Sequence, residues 1–166
     1  MALIVQKFGG TSVADLNRIR AVADRVAATV REGHQVAVVV SAMAGVTNQL
    51  VAWVREAHAD YDAREYDAVV STGEQVTTGL LALALHNLGI PARSWLGWQL
   101  PITSDGIHGR ARIEAIGTTE LRRGLEQGVV QVVAGFQGLG RENRITTLGR
   151  GGSDITAVAL AAALDA

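Results

Sequence analysis

Three short stretches carry the residue types that hold anions: "KFGGTS" from Lys7, "SAMAGVTN" from Ser41 and "GRGGSD" from Gly149. Each reads as an apolar strand, a turn of small residues and then a helix whose first residue can cap it. Amides at a helix start lack partners within the helix and attract negative charge, and glycine lets an oxygen come close to the backbone. Each stretch is therefore a candidate cradle for a phosphate or a carboxylate. A glycine pair at a strand end also serves as a plain turn, so one such stretch alone decides little. Three on one sheet edge argue for a ligand.

Charged residues in and near these turns sharpen the chemistry. The chain has fourteen arginines and a single lysine, and that lysine, Lys7, opens the first glycine turn. A compact ammonium acts as a point charge among phosphate oxygens, where a planar guanidinium imposes a different geometry. Arg150, between Gly149 and Gly151, has no helix face to decorate and suits the two parallel hydrogen bonds that a guanidinium makes to a carboxylate. Glu74, in "STGEQ", falls in the first turn of a helical pattern. There it serves either the electrostatics of the helix start or an ammonium ligand. Arg150 and Glu74 together would define the two charged ends of an amino acid. Asp154 reads as a first-turn acid behind a Ser153 cap, or as the partner that fixes the Lys7 ammonium.

The elements that must position these residues alternate in type. Ala2 to Phe8, Gln35 to Val40 and Val129 to Ala134 are short apolar runs suited to strands buried on both faces. Between the first two, Leu16, Ile19, Val22, Ala23, Val26, Ala27 and Val30 recur at helical spacing until Gly33 stops the pattern. Further helices are expected from Thr47 to His58, Thr72 to Leu88, Thr118 to Gln127 and Ser153 to the end of the chain. Strands alternating with helices predict an α/β sandwich around a mostly parallel sheet, with ligands beyond the carboxyl ends of the strands. Ser94 to Ile113 is less regular and reads as loops or hairpins, with Trp95 and Trp98 as packing residues.

Composition narrows the class further. At 166 residues, 48% hydrophobic and 19% charged with a formal net charge of -1, the chain suits one ordinary domain and neither a disordered segment nor a broadly basic nucleic-acid binder. No apolar run approaches the roughly 18 residues of a membrane-spanning helix and no secretion signal is evident, so a soluble cytoplasmic protein without a membrane partner is expected. There is no cysteine, and His34, His58, His86 and His108 lack ligand spacing, so any metal should arrive with a substrate. Neither familiar nucleotide fingerprint is present. Lys7 precedes its glycines instead of following them, and "GFQGLG" at Gly135 to Gly140 has the wrong glycine spacing for a dinucleotide site.

The stretches "KFGGTSV", "VVVSAMAGVTNQL", "VVSTGEQ", "VVAGFQG" and "TTLGRGGSD" occur in the order and approximate spacing of the aspartate kinases. The chain resembles the amino-terminal part of that family, within the amino-acid kinase fold. The resemblance implies a three-layer α/β/α sandwich with a mostly parallel central sheet, and a reaction in which ATP and L-aspartate give ADP and 4-phospho-L-aspartate. That reaction is the first step toward lysine, threonine and methionine. It also implies that Lys7, Phe8, Gly9 and Gly10 form the ATP-phosphate loop with Ser41 near the nucleotide. Thr47 and Glu74 would contact aspartate, Arg150 would grip its α-carboxylate, Gly151, Gly152 and Ser153 would line the reacting end, and Asp154 would orient Lys7. Mg²⁺ would come with ATP. The family continues where this chain ends at Ala166, with the rest of the nucleotide pocket and regulatory ACT domains. Weak or no kinase activity is therefore expected of the 166 residues alone, which leaves an aspartate-binding fragment as the alternative. The final "ALAAALDA" is apolar on nearly all sides and expects cover, so association, for example into a homo-oligomer, is a further expectation.

Overall fold

The structure, a computed structural model, describes residues 1–166. Its centre is built from the three apolar runs and one further strand: β1 (Leu3–Phe8), β2 (Gln35–Val40), β3 (Ala92–Trp95) and, later in the chain, β6 (Val130–Ala134). They pair in the order β1-β2-β6-β3, all parallel. β2 and β6 lie inside the sheet and are almost wholly buried, which is why their sequences are continuous apolar runs rather than alternating ones.

Helices cover both faces. The side chains of Val36, Val38, Val40, Val130 and Val132 face α1 (Leu16–Arg31) and α4 (Thr72–Asn87), where Ile19, Val26, Leu81 and Leu85 complete the core. Ala37, Val39 and Val133 face the opposite layer, α5 (Thr119–Glu126) and α6 (Gly152–Leu164), through Leu121, Leu125, Ala157, Leu160 and Leu164. The expected three-layer α/β/α sandwich is present. The helix predicted at Thr47–His58 is α2 (Val46–Ala57), and the other predicted helices differ from the observed ones by only one or two terminal residues.

Two regions depart from the sequence-based expectation. Val69 and Val70 end an additional helix, α3 (Ala63–Val70), that runs through Ser71 into α4. The α3–α4 run, Ala63–Asn87, is long and apolar enough to cross a membrane by length and composition, but half of its most apolar window is buried within the fold. Its hydropathy is that of a core element, and it carries the buried polar residues Asp67, Glu74, Thr77 and Thr78. The irregular region contributes β4 (Ile102–Ser104) and β5 (Ile113–Ile116), an antiparallel pair. With β7 (Gln137–Leu139) and β8 (Ile145–Thr147) they form a second sheet, ordered β5-β4-β7-β8. Trp95 is buried as expected, whereas Trp98 is 52% exposed and is not a packing residue. It sits in the turn between β3 and β4, beyond the reach of either core.

Candidate active site

Phe8, Val40 and Ala134 are register partners at the carboxyl ends of β1, β2 and β6. The chain therefore leaves the sheet three times side by side, and these exits meet the start of α6 around a cleft of about 460 Å³. The wall of this cleft includes Lys7, Ser41, Thr47, Glu74, Arg150, Gly151, Gly152, Ser153 and Asp154. Nine of the twelve residues singled out from the sequence thus share one cavity wall. Phe8, Gly9 and Gly10 do not line it; the Phe8 side chain packs into the core beside α1.

The Lys7 ammonium lies 2.9 Å from an Asp154 oxygen. Gly9 is extended, so its need for glycine is spatial: a Cβ there would sit 2.7 Å from both Lys7 Nζ and Ser41 Oγ. The missing side chain lets the cation fold back over its own loop.

Glu74 occupies the first turn of α4, 3% exposed. Its Oε1 accepts the Ala42 amide at 3.0 Å, while its Oε2 is buried without a partner. Burial pushes the carboxyl up to about 7, against a smaller opposing pull from the Ala42 amide. The approach depends on Gly73, where a Cβ would lie 2.7 Å from the Ala42 Cβ. A buried acceptor whose lone pairs have no donor, beside a cleft, is a place for one. Arg150 is exposed and makes none of the molecule's ion pairs, so its guanidinium is free to receive an anion.

The helix starts differ from the expected design. α2 and α6 begin on Gly45 (φ 78) and Gly151 (φ 71), both left-handed and without a side-chain cap. Ser153 is therefore not the cap of α6; it is buried, with its hydroxyl against Gly135. After β1 a 3-10 turn, Gly10–Val13, comes before α1, which is capped by Asp15 accepting from the Arg18 amide at 2.9 Å. The left-handed glycines leave the first amides of α2 and α6 without a side chain to satisfy them, as an anion cradle requires.

Gly149, which opens the third glycine stretch, also lines the cleft, as do Tyr66, Gly109, Phe136 and Leu148, which were not singled out from the sequence. Phe136 carried a usable signal, an aromatic between two turn glycines: its φ is 68, its amide donates to Thr156 Oγ1 at 3.2 Å, and its ring fills the space above Gly152. Tyr66 and Gly109 carried none, because α3 itself was not foreseen. No group of three or more acidic, histidine or cysteine side chains is arranged to hold a metal ion.

A parallel sheet between two helical layers, with glycine turns, one lysine, one arginine and one buried glutamate around a cleft at its carboxyl edge, defines an α/β sandwich with its charged groups gathered at one cleft. The chain matches the family model described as amino acid kinase family over residues 2–166. It belongs to that family. It is 54% identical over 166 residues to an aspartokinase of Geobacillus stearothermophilus, covering all of this chain and 41% of that protein. Among solved structures, aspartate kinase from Synechocystis superposes with a TM-score of 0.84 at 47% identity, covering 99% of this chain and 26% of that one. Aspartokinase III of E. coli, solved with aspartate and ADP, superposes at 0.87 with 29% identity, covering 100% of this chain and 47% of that one. The chain spans about two fifths of the length of the curated relatives it matches.

Proposed function

We propose that this chain is the part of an aspartate kinase that holds L-aspartate and the phosphates of ATP. The observation that carries the reading is the pairing, in one cleft, of the free Arg150 guanidinium with the unpartnered buried oxygen of Glu74. These two groups match the α-carboxylate and the α-ammonium of an amino acid, with Thr47 beside them. Aspartate binding would give Glu74 Oε2 the donor it lacks and convert its carboxyl to the ionised form.

Lys7, anchored by Asp154, then faces the phosphates, with the amides around Gly9 and Gly10 and the Ser41 hydroxyl beside it. ATP, with Mg²⁺ on its phosphates, supplies the phosphoryl group. An oxygen of the aspartate side-chain carboxylate forms a bond to the γ-phosphorus as the bond from that phosphorus to the departing ADP oxygen breaks, and ADP keeps the electron pair. The attacking carboxylate is already ionised near neutral pH, so no general base is needed. Catalysis reduces to alignment and charge neutralisation by Lys7 and the loop amides, while Gly151, Gly152 and Ser153 line the reacting end. The product, 4-phospho-L-aspartate, would enter the syntheses of lysine, threonine and methionine in the cytoplasm.

A second reading is favoured by the share of the relatives' length that this chain spans: aspartate binding without turnover by the 166 residues alone. Under this proposal the rest of the nucleotide pocket and the ACT domains belong to a longer protein. Calorimetric titration with aspartate, then with ATP and Mg²⁺, separates the readings. Aspartate binding without aspartyl phosphate formation supports the second, turnover supports the first alone, and absence of aspartate binding overturns both.

A further inference from the structure

Beneath the cleft lies a second buried carboxylate that this chemistry does not use. Asp67, on α3, is 0% exposed. Its oxygens contact three groups from two separate segments: the Thr147 hydroxyl at 2.5 Å on one, and His108 Nδ1 at 2.6 Å and the Gly109 amide at 3.1 Å to each oxygen on the other. The Thr147 hydroxyl and the Gly109 amide are donors here, and the tautomer of His108 with its proton on Nδ1 would complete the set. Burying a carboxylate is costly unless donors surround it, and these are the donors. An amide at position 67 would turn a donor toward other donors.

Each contact lies next to the cleft. Tyr66 precedes Asp67 in the chain and lines the cavity, as does Gly109. Thr147 ends β8, and Leu148, Gly149 and Arg150 follow it. Thr147 also pairs with Gln137, and its carbonyl accepts the Ala111 amide at 2.9 Å. Beyond it the chain is held by a bridge between Ala111 and Leu148, by the Leu148 amide donating to the Phe136 carbonyl at 2.8 Å and by the Gly152 amide donating to the Gly149 carbonyl at 3.0 Å. Asp67 thus adds a side-chain hold on the last sheet residue before the Arg150 turn and links it to Gly109, another residue of the cleft wall.

We infer that Asp67 and His108 are positioning residues that set where the Arg150 turn stands over the cleft, and through it the affinity for the ligand's carboxylate. The inference rests on the aspartate-site reading for its ligand, but not for its geometry. His108 is only partly exposed and is the gentler place to test it, because loss of the Asp67 carboxylate threatens the fold itself.

The experiment compares the 166-residue parent with His108→Leu and His108→Asn, whose side-chain nitrogen can stand near the position of Nδ1. Aspartate affinity is read by calorimetry and amide exchange by mass spectrometry. His108→Leu is expected to weaken aspartate binding roughly tenfold and to speed exchange over residues 107–110 and 147–152 but not in β1, β2 or β6. His108→Asn is expected to restore both. Unchanged aspartate affinity in His108→Leu, failure of His108→Asn to restore it, or faster exchange throughout the central sheet would each overturn the inference. If the parent binds no aspartate, the aspartate-site reading fails while the positioning role is still decided: exchange sped only in the two loops upholds it, and unchanged exchange overturns it.

Discussion

The Lys7 ammonium stands 2.9 Å from the Asp154 carboxylate, so the end of the first strand is tied to the first turn of the last helix. Asp154 is 69% exposed and Lys7 30%, and an ion pair so open to water adds little to the stability of a fold. Its consequence is directional. The end of β1 and the start of α6, distant in sequence, are joined through one cation, and that cation lies beside the Ser41 hydroxyl at the cleft.

Removing the cation should therefore cost catalysis and not folding. In a catalytically active longer protein containing this chain, Lys7→Ala is expected to lower turnover by roughly 10²–10³, or about 3–4 kcal/mol, by analogy with loss of one oxyanion donor. The melting temperature should move by no more than about 2 °C, since the ion pair is exposed. Unchanged turnover would remove Lys7 from the reaction.

Glu74 predicts a pH dependence of stability with a definite sign. Its carboxyl is raised from 4.5 to about 7 by burial, so between those values the folded state holds a proton that the unfolded state has lost. Stability from this group is complete below about pH 4.5 and falls as pH rises through about 7, by on the order of 3 kcal/mol. Glu74→Gln should flatten the slope in ligand-free chemical denaturation. Aspartate affinity should change in the opposite sense, rising toward pH 7 as the carboxylate becomes available to the ammonium. A slope that survives Glu74→Gln assigns it to another group.

The central sheet and the glycine turns were legible in the sequence because burial on both faces and left-handed backbone each leave a local mark: runs such as "VAVVV", and the glycines at 45 and 151. The Lys7 and Arg150 positions were legible because charge at a strand end or between glycines has few structural uses, whereas Glu74, in the first turn of a helix, read also as helix-start charge until its burial was seen. α3 was hidden because it is only eight residues long and amphipathic, and its one buried carboxylate has partners in distant segments. Asp67, Tyr66 and Gly109 meet only through tertiary packing, and no spacing along the chain announces that. The capping residues expected at α2 and α6 were misread for a related reason: a left-handed glycine replaces a hydroxyl cap where the first amides face a cleft.

Gly73 tests how tightly Glu74 is placed. A Cβ at this position would meet the Ala42 Cβ at 2.7 Å, so Gly73→Ala must separate α4 from the loop after β2. The same separation lengthens the 3.0 Å bond from the Ala42 amide to Glu74. A loss of about 1–3 kcal/mol in stability, typical of overpacking, is expected together with weaker aspartate binding. Denaturant melts alongside calorimetry read both, and aspartate affinity equal to that of the parent would show that Glu74 does not need this register.

Arg150 separates charge from geometry at the other end of the ligand. Glycines flank it and no acidic side chain holds it, so the proposed function gives its guanidinium the incoming carboxylate. Lysine keeps the charge and loses the two parallel donors, so Arg150→Lys should weaken aspartate binding roughly tenfold, and Arg150→Ala more than that. In an active longer protein the loss should fall on KM with kcat little changed, because the α-carboxylate is held equally in the ground and transition states. A lysine variant with the parent's KM would mean that charge alone suffices. A fall in kcat at constant KM would instead move Arg150 from the carboxylate grip to the transferring phosphoryl group, next to Lys7.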